Sequence, residues 1–336
     1  MQEKIQSPQV LACYPSDCQS ERIEFLGSAG GFSGAEFWRL TTARGKLCLR
    51  RWPAEHPSPE RLGFIHAVLR HVAQQGIDYL PVPIVPEKRE PMGFVQFDGH
   101  LWELTPWLPG RADYHQSPNP KKLRSILKAL ARFHQAASSF PMELPGKGPS
   151  SGAIRRRDRL RRLMAGHIEH IAEALARGGL PEIQQRARTV LEKFPRAADE
   201  VIALLDRVVE FEVPLQPCIR DIWHDHVLIT GAQVTGIIDF GAMRVETVAT
   251  DLARLLGSLV GDDQGQWQLG LAAYQSIREL SDEEMALVWA LDKSTVLLGG
   301  LNWIEWIYCD GRRFENMQGV LHRLDSILAR LQHLAP

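Results

Sequence analysis

The 336-residue chain lacks any apolar run long enough to span a bilayer, any low-complexity region and any internal repeat. Its longest apolar stretches are core-sized, so no membrane partner is expected. The opening residues, MQEKIQSPQVLACYPSD, lack a basic stretch followed by an apolar core, so no secretory leader is expected either. Net charge is almost absent: 39 basic against 40 acidic side chains leave −1. That excludes a global field directed at nucleic acid or an anionic surface, and any bound anion must be held by a local site. Cysteine is scarce, with five residues at scattered positions 13, 18, 48, 218 and 309. Cys13 and Cys18 are near each other, but no second pair completes a zinc site. Free thiols in a reducing, cytoplasmic protein are the expectation.

What is present is an ordinary globular composition, 44% hydrophobic and 24% charged, in a chain too long for one simple core. Two lobes follow. The first hundred residues are strand-rich: RIEFLG, a glycine cluster, an extended AEFWRLTT, then LCLRRW after a turn. PSPERLGFIHAVLRHVAQQG has Ser and Pro at its front, helical apolar spacing and a closing Gly, which predicts a helix. GFVQFDGHLWELTPW predicts a hairpin whose Asp98-Gly99 suits a type I′ turn. LPGRADYHQSPNP is a Pro/Gly-rich connector. From about Pro120 the pattern is helical to the end. The expected architecture is therefore α+β and bilobal: a small antiparallel sheet with one helix over residues 1–104, a connector over 105–119, and a large, mainly helical part over 120–336. The arginine-rich RRRDRLRR, Arg155 to Arg162, reads as a solvated helix face rather than a nucleic-acid patch, given its acidic neighbours.

One stretch breaks the helical pattern: CIRDIWHDHVLITGAQVTGIIDFG, Cys218 to Gly241. Two short strands flank a glycine-centred turn, with Asp221 ahead of the first and Asp239 at the end of the second. A lone Asp in either place is usually a turn or cap residue. HDH together with the two aspartates could also be read as a hydrolytic metal site, but such sites draw histidine pairs from helical spacing or from several elements.

The whole layout is similar to the protein-kinase-like fold, and this stretch resembles the signature region of the aminoglycoside phosphotransferase and choline kinase families. Those families carry a pattern close to H-G-D-x-H-P-x-N, then a strand, a turn and I-D-F/W. Asp221 falls on the Asp, His226 on the Asn five residues later, and Asp239 on the Asp eighteen residues later. DLARLL (Asp251 to Leu256), LARFHQAA (Leu130 to Ala137) and GGFSG match further family segments. The likeness runs from about Glu24 to about Leu259.

The resemblance implies an ATP-dependent phosphotransferase acting on the hydroxyl of a small-molecule acceptor. Such chemistry needs positioning, charge neutralisation and a carboxylate to take the hydroxyl proton. Asp221 would be that base and Asp239 a ligand of Mg²⁺. His226 stands where an amide oxygen is usual. Imidazole is a softer donor, so it reads as a ligand with a preference moved towards Mn²⁺, as a hydrogen-bonding neighbour of the metal, or as a mark of lost activity. In the nucleotide loop Gly27, Gly30, Gly31, Ser33 and Gly34 would let backbone N–H groups approach phosphates, and a glycine-rich hairpin turn accounts for the glycines equally well; there is no GxGxxG. Arg50 occupies the place of the family's lysine, and Ile65 or His66 that of its paired glutamate. Ile219 replaces a histidine. Pro106 and Trp107 align with the adenine-binding segment. Trp303 and Trp306, with Glu305 between them, form either a pocket for a cationic acceptor or an ordinary core face. The alternative to an active enzyme is a nucleotide-binding protein of the same fold with impaired catalysis, which the changes at 50, 65, 219 and 226 favour.

Overall fold

The computed structural model describes residues 6–28, 34–87, 93–142, 146–314 and 316–334. The chain forms two compact units, one of Met1–Pro141 with His224–Met243, the other of Met142–Trp223 with Arg244–Pro336. The first unit thus runs past the connector at 105–119 and takes back a later hairpin.

In the first unit a short helix not foreseen from the sequence, α1 (Gln6–Leu11), precedes the predicted strands β1 (Ser20–Gly27), β2 (Glu36–Thr42), β3 (Gly45–Arg51), β4 (Phe94–Phe97) and β5 (His100–Pro106). They make one sheet in the order β1-β2-β3-β5-β4, with every pair antiparallel. The β4–β5 turn is the expected Asp98-Gly99, with φ of 50° and 74°, the left-handed pair that a type I′ turn requires. Val10, Leu11, Tyr14 and Cys18 pack on Trp38, Leu40, Leu49, Trp102 and Leu104. Each such side chain, fully buried, contributes about 2 kcal/mol. A second cluster, Trp52, Leu62, Phe94 and Leu101, ties the sheet to α2 (Pro59–Gln74). That helix starts where predicted, with Pro59 in its first turn and the Ser58 hydroxyl accepting from Arg61 N–H at 3.3 Å.

Also in this unit, α3 (Pro120–Ala137) is capped by Asn119, which accepts from Lys122 N–H at 2.9 Å. It buries Leu123, Ile126, Leu127, Leu130 and Phe133. Against it lies a hairpin of β9 (Val227–Thr230) and β10 (Gln233–Ile237): Val234 N–H donates to Ser125 Oγ at 3.1 Å, and the Phe133 and Phe240 rings are 5.7 Å apart.

Among its described residues the second unit is mainly helical, with two minimal strand pairs, β6 (Lys147–Gly148) with β7 (Val213–Pro214) and β8 (Gln216–Cys218) with β11 (Arg244–Glu246). Its helices are α4 (Ser151–Arg162), α5 (Ile168–Ala176), α6 (Pro181–Val208), α7 (Ala249–Val260), α8 (Gln264–Gln275), α9 (Asp282–Ile304) and α10 (Met317–Leu334). α9 is the central element, and its start is set by a capping box in which Ser281 and Glu284 bond each other's backbone N–H. Gly300 lets α9 approach α6, since a Cβ there would stand 3.0 Å from Val190. RRRDRLRR lies on α4, and only part of it is a solvated face. Arg155 and Arg161 are exposed, whereas Arg156 donates to the Leu291 carbonyl at 2.8 Å and Arg159 bonds Asn302 and Glu305. Among the described residues no helix is long and apolar enough to cross a membrane.

Candidate active site

In the first unit the polar centre is built on β3. Arg50 and Glu103 are register partners across β3 and β5, so their side chains leave the same face of the sheet. Arg50 Nη1 lies 3.9 Å from Glu103 Oε1, and Glu103 Oε2 shares a 2.6 Å hydrogen bond with Nε2 of the fully buried His66 on α2. The acid expected from α2 is therefore supplied by the neighbouring strand, while α2 gives the histidine that fixes it. Arg50 is held from other sides too. Its guanidinium stacks 3.3 Å from the Trp52 ring centroid and 5.1 Å from that of Phe37. Both terminal nitrogens reach Asp239 Oδ1 at 3.3 Å.

Asp239 follows β10 with φ of 63°, a left-handed backbone rarely taken by a non-glycine residue. The hairpin register explains its neighbour. Ile237 pairs with Val227 and Ile238 N–H donates to the His226 carbonyl at 3.0 Å, so the residues just beyond each strand end come side by side. His226 Nε2 lies 3.7 Å from Asp239 Oδ2. Burial disfavours the Asp239 carboxylate, but the Arg50 and His226 charges, with hydrogen bonds from Arg50 and the Gly241 backbone, outweigh it and hold the group below its ordinary value. Gly241 closes the centre: a Cβ there would meet the Trp52 ring at 2.8 Å.

A carboxylate oxygen and a ring nitrogen 3.7 Å apart are a donor pair that fits a divalent cation. Gly30, Gly31 and Ser33 lie outside the described residues; Gly27 and Gly34, beside them, have left-handed φ of 62° and 76°. At the edge of β5, Pro106 is paired with Leu47, and Trp107 N–H donates to the Lys46 carbonyl at 3.0 Å. The Trp107 N–H thus extends the sheet.

In the second unit Asp221 sits on a loop shaped by Asp251. The Asp251 carboxylate, in the first turn of α7, accepts Ile219 N–H at 2.7 Å and Arg220 N–H at 2.5 Å. Those two bonds turn the chain so that Arg220 takes φ of 67° while Ile219 and Ile222 are fully buried. Asp221, between them, is half-exposed and pairs with Arg254, one turn along α7 from Asp251. Ile219 is a core residue here. Glu246 on β11 performs a similar service at the start of α4, accepting from Gly152 N–H at 2.7 Å and Ser151 Oγ at 2.8 Å.

Trp303 is buried at the end of α9. Glu305 and Trp306 lie on the widened turn Glu305–Cys309 that continues the helix. Each already has a cation: Arg159 on Glu305, Arg312 5.2 Å from the Trp306 ring, and Arg323 3.8 Å from the Trp223 ring and 5.9 Å from that of Trp303. Glu103, Trp52, Asp251 and Arg254 were not singled out in the sequence as site residues. Asp251 left a trace there as the acid opening DLARLL; Glu103 left none, because its role depends on strand register.

A family model described as the phosphotransferase enzyme family matches residues 25–287. The homoserine kinase of Chelativorans sp. (strain BNC1) is 27% identical over 282 residues, covering 82% of this chain and 78% of that protein. The homoserine kinase of Sinorhizobium medicae (strain WSM419) is 24% identical over 304 residues, covering 85% and 84%. Among solved structures, an aminoglycoside phosphotransferase from Alicyclobacillus acidocaldarius superposes with a TM-score of 0.64 at 17% identity, covering 97% of this chain and 94% of its own. A spectinomycin phosphotransferase in complex with ADP and spectinomycin gives 0.66 at 13%, covering 93% and 92%. The fold is thus the α+β protein-kinase-like fold of these phosphotransferases.

Proposed function

The chain belongs to the phosphotransferase enzyme family, and on that premise we propose that it moves the γ-phosphoryl group of ATP to a hydroxyl of a small-molecule acceptor. The acceptor oxygen bonds to Pγ as the bridge from Pγ to the β-phosphate breaks; the hydroxyl proton goes to Asp221 and the bridging electron pair leaves on ADP. Asp239 and His226 would hold the divalent cation, Mg²⁺ or, given the imidazole, Mn²⁺, and the cation would supply neutralisation of the phosphate charge. Arg50, braced by Glu103, His66 and Trp52, binds phosphate oxygens with its fork. In this reading residues 1–104 are the nucleotide lobe, 105–119 the connector, with Pro106 bordering the adenine, and 120–336 the acceptor lobe.

The observation that supports the reading best is Asp239 itself, kept ionised in a left-handed backbone between Arg50 and His226. The homoserine kinase relatives support a small hydroxyl-bearing acceptor. A second reading, nucleotide binding without turnover, draws on the same place, because the Arg50 fork sits on an oxygen that a metal would use.

The test is a thermal-shift titration with ATP and Mg²⁺ or Mn²⁺, followed by assays of ADP and phosphoester formation. Asp221→Asn should keep the metal-dependent shift and lose turnover by about 10³-fold or more, the worth of a general base. Asp239→Ala should lose both. A shift without turnover across acceptors would favour the second reading; near-normal transfer in either variant would overturn the roles given.

A further inference from the structure

The loop that carries Asp221 is fixed on its two sides by different means. On the amino side the Asp251 carboxylate accepts Ile219 and Arg220 N–H, and Ile222, directly after Asp221, is fully buried. On the carboxyl side Trp223 meets a cation. The Arg323 guanidinium of α10 stacks over its ring, 3.8 Å from the centroid. At that distance the guanidinium is in van der Waals contact with the ring face, where a cation–π pair is strong. Trp223, Arg323 and the residues that back them all belong to the second unit.

Arg323 is itself held in place. Its guanidinium lies 5.9 Å from the ring of Trp303, which is buried at the end of α9. Trp303 in turn packs edge-on against Trp306 and Phe314, with centroids 5.2 Å apart in each pair. Val320, Leu321 and Leu324, around Arg323 on α10, are buried. Further along the helix, Asp325 accepts two bonds from Arg186 of α6, at 2.6 and 2.9 Å, and Arg330 bonds Asp262 and Asp292, each at 2.8 Å. A helix anchored in this way gives Arg323 a rigid base, so the stack imposes a position on the loop rather than following it. Trp303, Phe314 and Arg323 lie beyond residue 287, where the family match ends, so the signature region does not contain this support.

Resting on the phosphotransferase reading of Asp221, we infer that Arg323 is a positioning residue for that reaction: through Trp223 it holds the Asp221 carboxylate where it takes the acceptor proton. Proton transfer needs the carboxylate within hydrogen-bond reach of the hydroxyl, and a displacement of about 1 Å costs up to about 100-fold in rate. The contact requires a cation and a ring face, so lysine at position 323 keeps part of the effect.

The experiment uses the full chain and two readouts. Hydrogen exchange read by mass spectrometry follows residues 219–224 and 317–334. Steady-state assays with ATP and Mg²⁺ or Mn²⁺ follow ADP release with L-homoserine, spectinomycin or water as acceptor. Arg323→Ala should speed exchange in the loop about tenfold while α10 stays as protected as in the wild type, and should lower kcat about tenfold, the rate equivalent of a desolvated cation–π pair. KM for ATP should not change, because the residues read as binding nucleotide lie in the first unit. Arg323→Lys should recover part of both losses. Trp223→Leu, which removes the ring instead of the cation, should match Arg323→Ala, and the double variant should be no worse than either. Trp223→Leu decides the matter if Arg323→Ala does not fold. Unchanged exchange in the loop, exchange raised equally across α10, or an unchanged kcat would each overturn the proposal and leave Asp221 its role. A selectively loosened loop in a chain that releases no ADP with any of the three acceptors would leave Arg323 as the anchor of the loop and count against the phosphotransferase reading.

Discussion

Glu103 joins two elements that the sequence keeps far apart. It lies almost fully buried between the Arg50 guanidinium and the His66 ring, and removing it takes an ion-pair partner from a buried cation and a 2.6 Å hydrogen bond from a buried imidazole. Glu103→Ala should therefore cost roughly 3 kcal/mol in urea unfolding, and Glu103→Gln clearly less. Gly241→Ala tests the other side of Arg50. Its Cβ would press on the Trp52 ring that stacks on the guanidinium, so a loss of about 1–3 kcal/mol should accompany weakened ATP binding in thermal shift. At this scale the spacing of Asp221 and Asp239 in one continuous stretch is what put them forward as candidates. Glu103 was not, because only the register of β3 on β5 brings it opposite Arg50.

Elements are terminated and shaped here by side chains that satisfy backbone N–H groups. Ser281 and Glu284 do so at the start of α9, and Ser281→Ala should lower stability by about 1 kcal/mol without changing activity. Asp251 does more, since its two bonds to Ile219 and Arg220 set the loop that presents Asp221. Asp251→Ala should cost about 3 kcal/mol, and Asp251→Asn, which keeps one acceptor oxygen, should retain more stability; comparison of their melting curves checks the order. Strands, the Asp98-Gly99 turn and the α2 start were readable from alternation, turn chemistry and Ser-Pro capping, all local properties. α1 was missed because its six residues are too few for a helical period. The inward course of Arg156 and Arg159 was missed because composition alone does not reveal which side of α4 meets α9.

Across the whole molecule, buried thiols and phenols set the response to alkali. Burial, followed by the Asp251 and Glu246 charges, raises Cys218 well above its ordinary 9.0, and burial raises Tyr274 well above 10.0. The folded chain keeps these protons where the unfolded chain releases them, so their contribution is present below about pH 9 and is lost as pH rises beyond it, by up to about 1.4 kcal/mol per group and pH unit. The urea midpoint should stay level between neutral pH and the ordinary thiol value and fall above it, with a shallower fall in Cys218→Ala. The sequence by itself determined the two-part α+β organisation and the family, and it put the pair of aspartates forward as candidates, because hydrophobic period and short-range spacing survive in one dimension. Tertiary structure alone decided what surrounds them: the Glu103–His66 brace behind Arg50, the Asp251 clamp on the Asp221 loop and the pairing of Asp221 with Arg254. Those contacts join residues tens to hundreds of positions apart, and their energies depend on burial and register that no local pattern encodes.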